Sequence, residues 1–211
     1  MGVRRRSMRR GTADASGMAG FGLGSTMQVR LLVLADRPPP GDVLGWVRGN
    51  DPDVVVCCGD LDLAWIDGLR DVAVPKLGVY GNHDAGYMPE LGIADLHLAR
   101  REVGGVSFAG FEGCVRYRDG PHQYTQEQAS ALASTLPAAD VLVCHAPPAG
   151  VNDEPGDRAH AGFDGLREWV CANVPHLVLH GHTHPRPAGG VRRVGATRVV
   201  HVSGARVVEL S

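Results

Sequence analysis

The chain has 211 residues, of which 44% are hydrophobic and 21% are charged. This length and composition are typical of one globular domain and exclude a wholly disordered protein. No apolar run reaches the roughly 18 residues that a membrane-spanning helix needs. The five cysteines contain no C-x-x-C pair and no disulfide framework, so we expect reduced thiols and a cytoplasmic location.

Charge is distributed unevenly along the chain. Residues 1–26 contain five arginines and one acid, whereas the whole chain has 21 bases and 23 acids. Subtracting this segment leaves 16 bases and 22 acids in the remainder, a net charge of −6. An acidic domain is a poor general binder of nucleic acid. Because residues 1–26 are too polar to form a core, we predict a disordered extension there and one domain over residues 27–211.

Three apolar runs of strand length alternate with helical stretches in the first part of the domain. We predict strands over residues 29–35, 53–58 and 76–80, and helices over residues 42–48 and about 61–69. Strands as apolar as these are typical of parallel sheets that are covered on both faces.

The second part of the domain is richer in strands. Residues 102–111 resemble a hairpin that turns at Gly104-Gly105, and Thr125 with Gln128 forms a capping-box pattern for a helix that ends near residue 136. A further helix is predicted over 163–172, and strands are predicted over 141–144, 176–179, 191–194, 197–202 and 206–210. Two strand-rich layers with helices outside are the simplest packing of these elements.

Five of the predicted strands are followed by residues that can bind a metal. These residues are Asp36, Asp60, Asn82 with His83, His145, and His182 with His184. In α/β folds, ligands bind beyond the carboxyl ends of parallel strands. One such residue is readily explained as part of a turn, but the five sets together indicate a metal site.

The same residues stand in a series of short motifs: Asp36, Gly59-Asp60, Gly81-Asn82-His83-Asp84, His145 and Gly181-His182-Thr183-His184. This series resembles the one found in the calcineurin-like metallophosphoesterases, and the resemblance covers residues 27–210. The stretches GFEGCVRY and CHAPPAG look most like the small Icc-like, cyclic-nucleotide phosphodiesterase-like branch. The resemblance implies an α/β fold, a four-layer α/β/β/α sandwich.

The resemblance also implies a dinuclear metal-dependent phosphoesterase. Two divalent ions, Mn, Fe, Zn or similar, would hold a hydroxide for in-line attack on a small phosphodiester or phosphomonoester. Asp60 would bridge the two ions, and the remaining ligands would be Asp36 and His184 for the first ion and Asn82, His145 and His182 for the second. His83 would act on the leaving group or the phosphate, and Asp84 would orient His83.

One position departs from the family pattern. The family's D-x-H would place a histidine at position 38, whereas this chain reads Asp36-Arg37-Pro38. Because a proline side chain cannot ligate a metal, we expect a weaker first site that is only partly occupied or is completed by water or a neighbouring side chain. Arg37 offers a positive charge for a phosphate or is a surface residue.

Several alternatives remain open at this point. If the chain is an enzyme, its site is either dinuclear or holds only the second ion firmly. The alternative is a protein without catalytic activity, a metal- or phosphate-binding interaction module. His180 and His201 lie near the site or are packed in the interior, and His160 and Asp153 line the pocket or belong to a surface loop. The expected partner is a small phosphate ester, without membrane or stable nucleic-acid binding.

Overall fold

Two β-sheets form the centre of the computed structural model, which describes residues 28–154, 156–185 and 191–210. The predicted extension over residues 1–26 lies outside the described residues. The first sheet has the strand order β13-β1-β2-β3-β4. Its strands are β1 (Val29–Ala35), β2 (Val54–Cys57), β3 (Lys76–Gly78), β4 (Ala94–Asp95) and β13 (Gly204–Leu210). Strands β1 to β4 pair in parallel, and β13 pairs antiparallel with β1.

The second sheet has the order β11-β12-β10-β9-β6-β5. Its strands are β5 (Arg100–Val103), β6 (Val106–Phe111), β9 (Val141–Cys144), β10 (Leu177–His180), β11 (Val191–Val194) and β12 (Thr197–His201). The four central strands are parallel and both edge strands are antiparallel. The expected hairpin is therefore confirmed as β5–β6. Two short parallel strands, β7 (Cys114–Val115) and β8 (Gln123–Tyr124), form a separate ribbon.

Helices cover the outer face of each sheet. On the first sheet lie α1 (Val43–Asn50), α2 (Leu63–Ile66), a 3₁₀ turn (Asp67–Asp71) and α3 (Met88–Leu91), and on the second lie α4 (Gln126–Ala133) and α5 (Asp164–Asn173). The capping box of α4 is present, since the Thr125 side chain accepts a hydrogen bond from the Gln128 amide and the Gln128 side chain accepts one from the Thr125 amide. None of these helices has the length and apolar character needed to cross a membrane.

Side-chain alternation along the strands builds three apolar layers. Leu31 and Val33 of β1 point between the two sheets, whereas Leu32 and Leu34 point towards the helices of the first sheet, as the two-residue period of a strand requires. The second sheet likewise packs Val143 against the first sheet and its opposite face against α4 and α5. The predicted four-layer α/β/β/α sandwich is confirmed.

Local details differ from the sequence prediction. The helix expected over residues 61–69 is divided into α2 and the 3₁₀ turn, which contains Gly68, a poor helix residue that lies against the side chain of Leu44. The strand expected over 76–80 ends at Gly78. Helix α3 and the strands β4, β7 and β8 were not predicted, because elements of two to four residues carry too little periodicity to be recognised.

Candidate metal centre

The predicted ligand residues meet at one edge of the sandwich. Asp36, Asp60 and Asn82 follow three parallel strands of the first sheet, and His145 and His182 follow two parallel strands of the second. They surround a cavity of about 290 Å³ that is lined by Asp36, Arg37, Asp60, Asn82, His83, Tyr117, Ala159, His160, His182, Thr183, His184 and Ser203. His145 is fully buried beneath this cavity.

The backbone is strained at these ligand positions. Asp36, Asp60 and His182 all have left-handed conformations, with φ of 59°, 53° and 66°, which L-residues rarely adopt and which are often found at functional sites. The flanking glycines permit this close approach. A Cβ atom at Gly181 would lie 2.8 Å from Asp36 Oδ2, and a Cβ atom at Gly81 would overlap Asp60 Oδ1. Glycine is therefore required at both motif positions.

His145 is held in one orientation by the backbone. Its Nδ1 lies 2.8 Å from the carbonyl oxygen of Cys58, so Nδ1 carries a proton and Nε2 faces Asn82 Oδ1 at 3.1 Å and Asp60 Oδ2 at 3.5 Å. Burial alone would lower the pKa of His145, but the Asp60 carboxylate, with a further contribution from Asp36, raises this pKa to about 9. Nε2 therefore holds a proton between two oxygen acceptors.

Asp60 is the anionic partner in this arrangement. Burial would raise the pKa of Asp60, but the hydrogen bond and charge of His145, together with a 2.8 Å hydrogen bond from the His83 amide, lower it to about 2. The carboxylate is thus ionised and in contact with two other motif residues. A divalent cation is a stronger partner for such a carboxylate than an imidazolium proton.

Asn82 and His182 are oriented by contacts away from His145. The Asn82 amide donates a 3.2 Å hydrogen bond from Nδ2 to the Tyr117 hydroxyl, which leaves its oxygen facing inward. His182 Nε2 donates to the Ala159 carbonyl at 2.7 Å, so Nδ1 is left with a lone pair. Burial and the neighbouring charge of His145 lower the pKa of His182 to about 3. His182 is therefore a neutral imidazole, the form that binds metals.

Asp36 connects the two sheets. Both of its carboxylate oxygens accept hydrogen bonds from the His182 amide, at 3.0 and 2.9 Å. Burial raises the pKa of Asp36 to about 6, although the charge of His145 and the His182 amide oppose the rise. A carboxylate that is this costly to ionise gains from a nearby cation.

His83 lies at the open side of the cavity. Its ring Nδ1 is 3.3 Å from an Nη2 of Arg118, whose guanidinium group lies over the Tyr117 ring. Because a guanidinium can only donate, Nδ1 is the acceptor and the proton of the neutral ring is on Nε2. The ring is exposed and can donate this proton to a group in the cavity.

Asp84 has other partners than the predicted one. Its carboxylate accepts hydrogen bonds from the amides of Asp60 (2.9 Å), Leu61 (2.9 Å) and Gly81 (2.6 Å) and from the Tyr87 hydroxyl (3.4 Å). The His83 ring pairs with Arg118 instead. In the structure Asp84 therefore fixes the two loops that carry Asp60 and Asn82, because a buried carboxylate needs several donors and the adjacent loop amides provide them.

The donor set fits divalent cations. Among the described residues, two clusters of three metal-binding groups have ligand atoms within 4.8 Å of one another, namely Asp60 with His145 and His182, and Glu154 with His160 and His184. We name them the inner cluster and the outer cluster. The inner cluster, with the Asn82 oxygen beside it, combines an ionised carboxylate, imidazoles and an amide oxygen, which suits Mn, Fe or Zn.

The structure distributes the remaining candidates between the cavity and the interior. His184 and Arg37 line the cavity, and so does His160, whereas Asp153 accepts hydrogen bonds from the Gly150 and Gly162 amides and thereby shapes its loop. Pro38 is exposed and lies outside the cavity lining. The buried rings of His180 and His201 contact each other, with centroids 5.3 Å apart, and neither lines the cavity.

Three residues near the site were not singled out by the sequence. Tyr117 and Arg118 reach Asn82 and His83 from the ribbon region after β7, and Glu154 accepts a 3.2 Å hydrogen bond from the His184 amide. Tyr117 is the last residue of the stretch GFEGCVRY, which was one signal for the family resemblance, and Arg118 follows it. Nothing in the spacing of Glu154 links it to His184.

The profile of the calcineurin-like phosphoesterase superfamily domain matches residues 37–205 of this chain. Because this match covers most of the sequence, the chain belongs to the calcineurin-like phosphoesterase superfamily. The family prediction is confirmed at this level, and phosphate-ester hydrolysis is the activity associated with the superfamily. Among curated proteins, none matches the chain significantly.

Solved structures support the same fold at low sequence identity. TT1561 from Thermus thermophilus is 18% identical, with a TM-score of 0.59 over 84% of this chain and 90% of that one. GAP50, the anchor in the inner membrane complex of Plasmodium, is 15% identical, with a TM-score of 0.52 over 87% and 81%. A phosphatase from Mycoplasma pneumoniae is 12% identical, with a TM-score of 0.50 over 85% and 73%. These likenesses concern the fold.

Proposed function

We propose that the chain hydrolyses a small phosphodiester or phosphomonoester with the help of two divalent cations, Mn, Fe, Zn or similar. The observation that supports this most is the position of His145 Nε2, which lies 3.1 Å from Asn82 Oδ1 and 3.5 Å from Asp60 Oδ2. A buried position where an anionic and a neutral oxygen face one imidazole nitrogen is chemically suited to a cation. The superfamily match supports the same chemistry.

Six residues are proposed as cation ligands around the bridging carboxylate of Asp60. The first cation would be held by Asp36, Asp60 and His184, and the second by Asp60, Asn82, His145 and His182. Two cations of this kind lower the pKa of bound water and offset negative charge on the phosphoryl oxygens. The first site has no ligand from Pro38, so we propose that it binds more weakly and is only partly occupied without added metal.

The chain's own groups would bind and protonate the ester. His83 Nε2 carries a hydrogen that can be donated in a hydrogen bond to a phosphate oxygen or to the leaving-group oxygen, while the Arg118 guanidinium donates to the other ring nitrogen. His83 is thus proposed to act either as the general acid or as a hydrogen-bond donor that binds the phosphate. Asp84 is proposed to support this step by positioning two loops, because its carboxylate accepts hydrogen bonds from backbone amides of both.

The cavity indicates a small substrate. Its volume of about 290 Å³ is at the lower end of the range for ligand pockets, which suits a phosphate with one aryl or nucleoside group. An acidic domain does not favour a polynucleotide.

All five cysteines are free and four are buried, which supports the proposal of a reducing, cytoplasmic location.

Turnover of a generic ester tests this proposal. The chelator-treated protein is resupplied with Mn²⁺ and given an aryl phosphodiester and an aryl phosphomonoester, with the chelated protein as the control. We expect metal-dependent release of the phenol from at least one ester. Phenol release no faster than in buffer alone, from either ester and with or without Mn²⁺, would contradict hydrolysis and favour the alternative, a silent metal- or phosphate-binding interaction module.

A further inference from the structure

The outer cluster consists of Glu154 and His160 from one loop and His184 from the turn after β10. His184 Nδ1 lies 3.9 Å from Glu154 Oε1, and the rings of His160 and His184 are 5.0 Å apart between centroids. The His160 ring also lies 5.3 Å from the ring of His182. The outer cluster is therefore adjacent to the inner cluster but has its own carboxylate and its own imidazoles.

His160 is oriented as metal-binding histidines are. Its Nδ1 is 2.7 Å from Asp157 Oδ2, while Asp157 Oδ1 accepts a 3.0 Å hydrogen bond from the Ala159 amide. A carboxylate that binds one ring nitrogen of a neutral imidazole fixes the tautomer and leaves a lone pair on the other nitrogen. This contact gives His160 Nε2 the lone pair that a cation requires.

The loop backbone holds the ligands Glu154 and His160 in register. The Glu154 amide donates to the His160 carbonyl at 3.0 Å, and the Asp157 amide donates to the Glu154 carbonyl at 2.8 Å. The Ala159 carbonyl in turn accepts from His182 Nε2 at 2.7 Å. Hydrogen bonds within the loop and to His182 of the inner cluster thus hold Glu154 and His160 in place before a cation binds.

We infer that Glu154, His160 and His184 form a further divalent-cation site, suited to Zn²⁺ or Co²⁺. Two imidazoles and one carboxylate are a ligand set that such borderline cations prefer, and they leave a fourth position for water or a phosphate oxygen. In tetrahedral coordination the ligand atoms lie about 3.4 Å apart. The 3.9 Å separation of His184 and Glu154 is close to this value, and the His184 side chain is 65% exposed and free to adjust.

This site lies beside the first cation site, which we propose to be weak. His184 is the ligand that the proposed function assigns to the first cation, where Pro38 offers no side-chain donor. Glu154 and His160 supply two donors next to His184 that the family motifs do not contain. The inference rests on the proposed function only through His184, and the binding of a cation by these three groups does not require hydrolysis.

Cobalt titration tests the inference. The background is Cys171→Ser, because Cys171 is the one exposed cysteine and its thiol would compete for the metal. Co²⁺ is titrated into chelator-treated protein and followed by calorimetry and by its visible absorption. The variants are Glu154→Gln and His160→Ala. The matched control is His176→Ala, an exposed histidine outside both clusters.

The expected result is selective loss of one binding equivalent. Glu154→Gln and His160→Ala should each weaken one Co²⁺ equivalent by about 10–100-fold and change the visible spectrum, whereas His176→Ala should match the background protein. Asp60→Asn should remove the equivalents that depend on Asp60 and keep the one that depends on His160. Melting curves without metal check that the variants are folded, and Glu154→Gln preserves the side-chain shape.

Isotherms of Glu154→Gln and His160→Ala that coincide with that of the background protein would overturn the site. In that case Asp157 and His160 form only a local ion pair on the surface. Failure of the proposed hydrolysis has a different signature. Ester turnover would then be absent while the His160-dependent Co²⁺ equivalent persists.

Discussion

The inner and outer clusters offer similar ligand types in opposite environments. In the inner cluster His145 is fully buried and is oriented by the backbone carbonyl of Cys58, whereas in the outer cluster His160 is partly exposed and is oriented by Asp157, three residues earlier. Burial requires every polar atom of the inner cluster to have a partner. The comparison shows that similar ligand types can be brought together either by buried strand ends of a sheet sandwich or by an exposed loop beside one such strand end.

Electrostatics separates the clusters as well. In the inner cluster the charges of Asp60 and His145 shift the pKa of each other in opposite directions, to about 2 and about 9. The groups of the outer cluster are more exposed, so solvent and salt screen the interactions between their charges more strongly. Loss of a residue in the inner cluster is therefore expected to be more damaging than loss of one in the outer cluster.

The largest effect is expected from Asp60→Asn. The substitution removes the anion that pairs with His145 and the proposed bridging ligand, so ester hydrolysis should fall at least about 100-fold, as for lost metal support. Metal analysis should show loss of the cations that Asp60 is proposed to bridge, while the His160-dependent equivalent is retained. Near-parental hydrolysis at saturating Mn²⁺ would contradict the role of Asp60.

His83→Ala should separate proton transfer from metal binding. The His83 ring pairs with Arg118, which is not a proposed cation ligand, so turnover should fall by about 10²–10⁴-fold while the metal content stays constant. Turnover is measured at saturating Mn²⁺, and the metal content on the same sample. Loss of one metal equivalent would instead make His83 a ligand.

Arg118→Gln should have a smaller, substrate-dependent effect. The exposed Arg118 guanidinium lies beside His83, where it can bind the extra charge of a phosphomonoester. We expect kcat/KM to fall about 10-fold for an aryl monoester and less for the diester. Equal losses for the two esters would show that Arg118 acts only by orienting His83.

Asp36→Asn should stabilise the metal-free protein in a pH-dependent manner. Burial raises the pKa of Asp36 to about 6, from its ordinary 3.8, so the charged carboxylate destabilises the folded state above pH 6. This cost disappears as the pH falls from 6 towards 3.8. We expect a Tm increase of about 2–4 °C at pH 7.5 and none at pH 4.

The exposed Asp119→Asn serves as the control for Asp36→Asn. It should leave the Tm unchanged at both pH values. An equal gain at pH 4 and pH 7.5 for Asp36→Asn would disprove the titration argument, because the gain would then come from packing.

The smallest effect is expected from removing residues 1–26. Their composition predicts that they lie outside the core, and strand β1 begins at Val29. A chain that begins at Met27 should therefore keep the Tm and the rate of ester hydrolysis of the full chain. A large fall in Tm by calorimetry would show that these residues pack on the domain.

Much of the fold was predictable because its signals are local. Apolar runs bounded by turns predicted β1 at its observed bounds, and the Thr125–Gln128 capping box predicted the start of α4. The pattern of such elements predicted two strand-rich layers with helices outside, and the family resemblance implied the four-layer sandwich. The short elements α3, β4, β7 and β8 could not be predicted, since elements of two to four residues carry too little periodicity to be recognised.

For the site, the sequence by itself determined which residues follow the strand ends, and parallel pairing then brings Asp36, Asp60, Asn82, His145 and His182 to one edge. Only the tertiary structure decided their partners. In the structure Asp84 accepts hydrogen bonds from loop amides, Arg118 contacts the ring of His83, and the His184 amide donates to Glu154. Such contacts depend on how distant loops meet, because side-chain hydrogen bonds form between whatever donors and acceptors the packed sheets bring within about 3 Å.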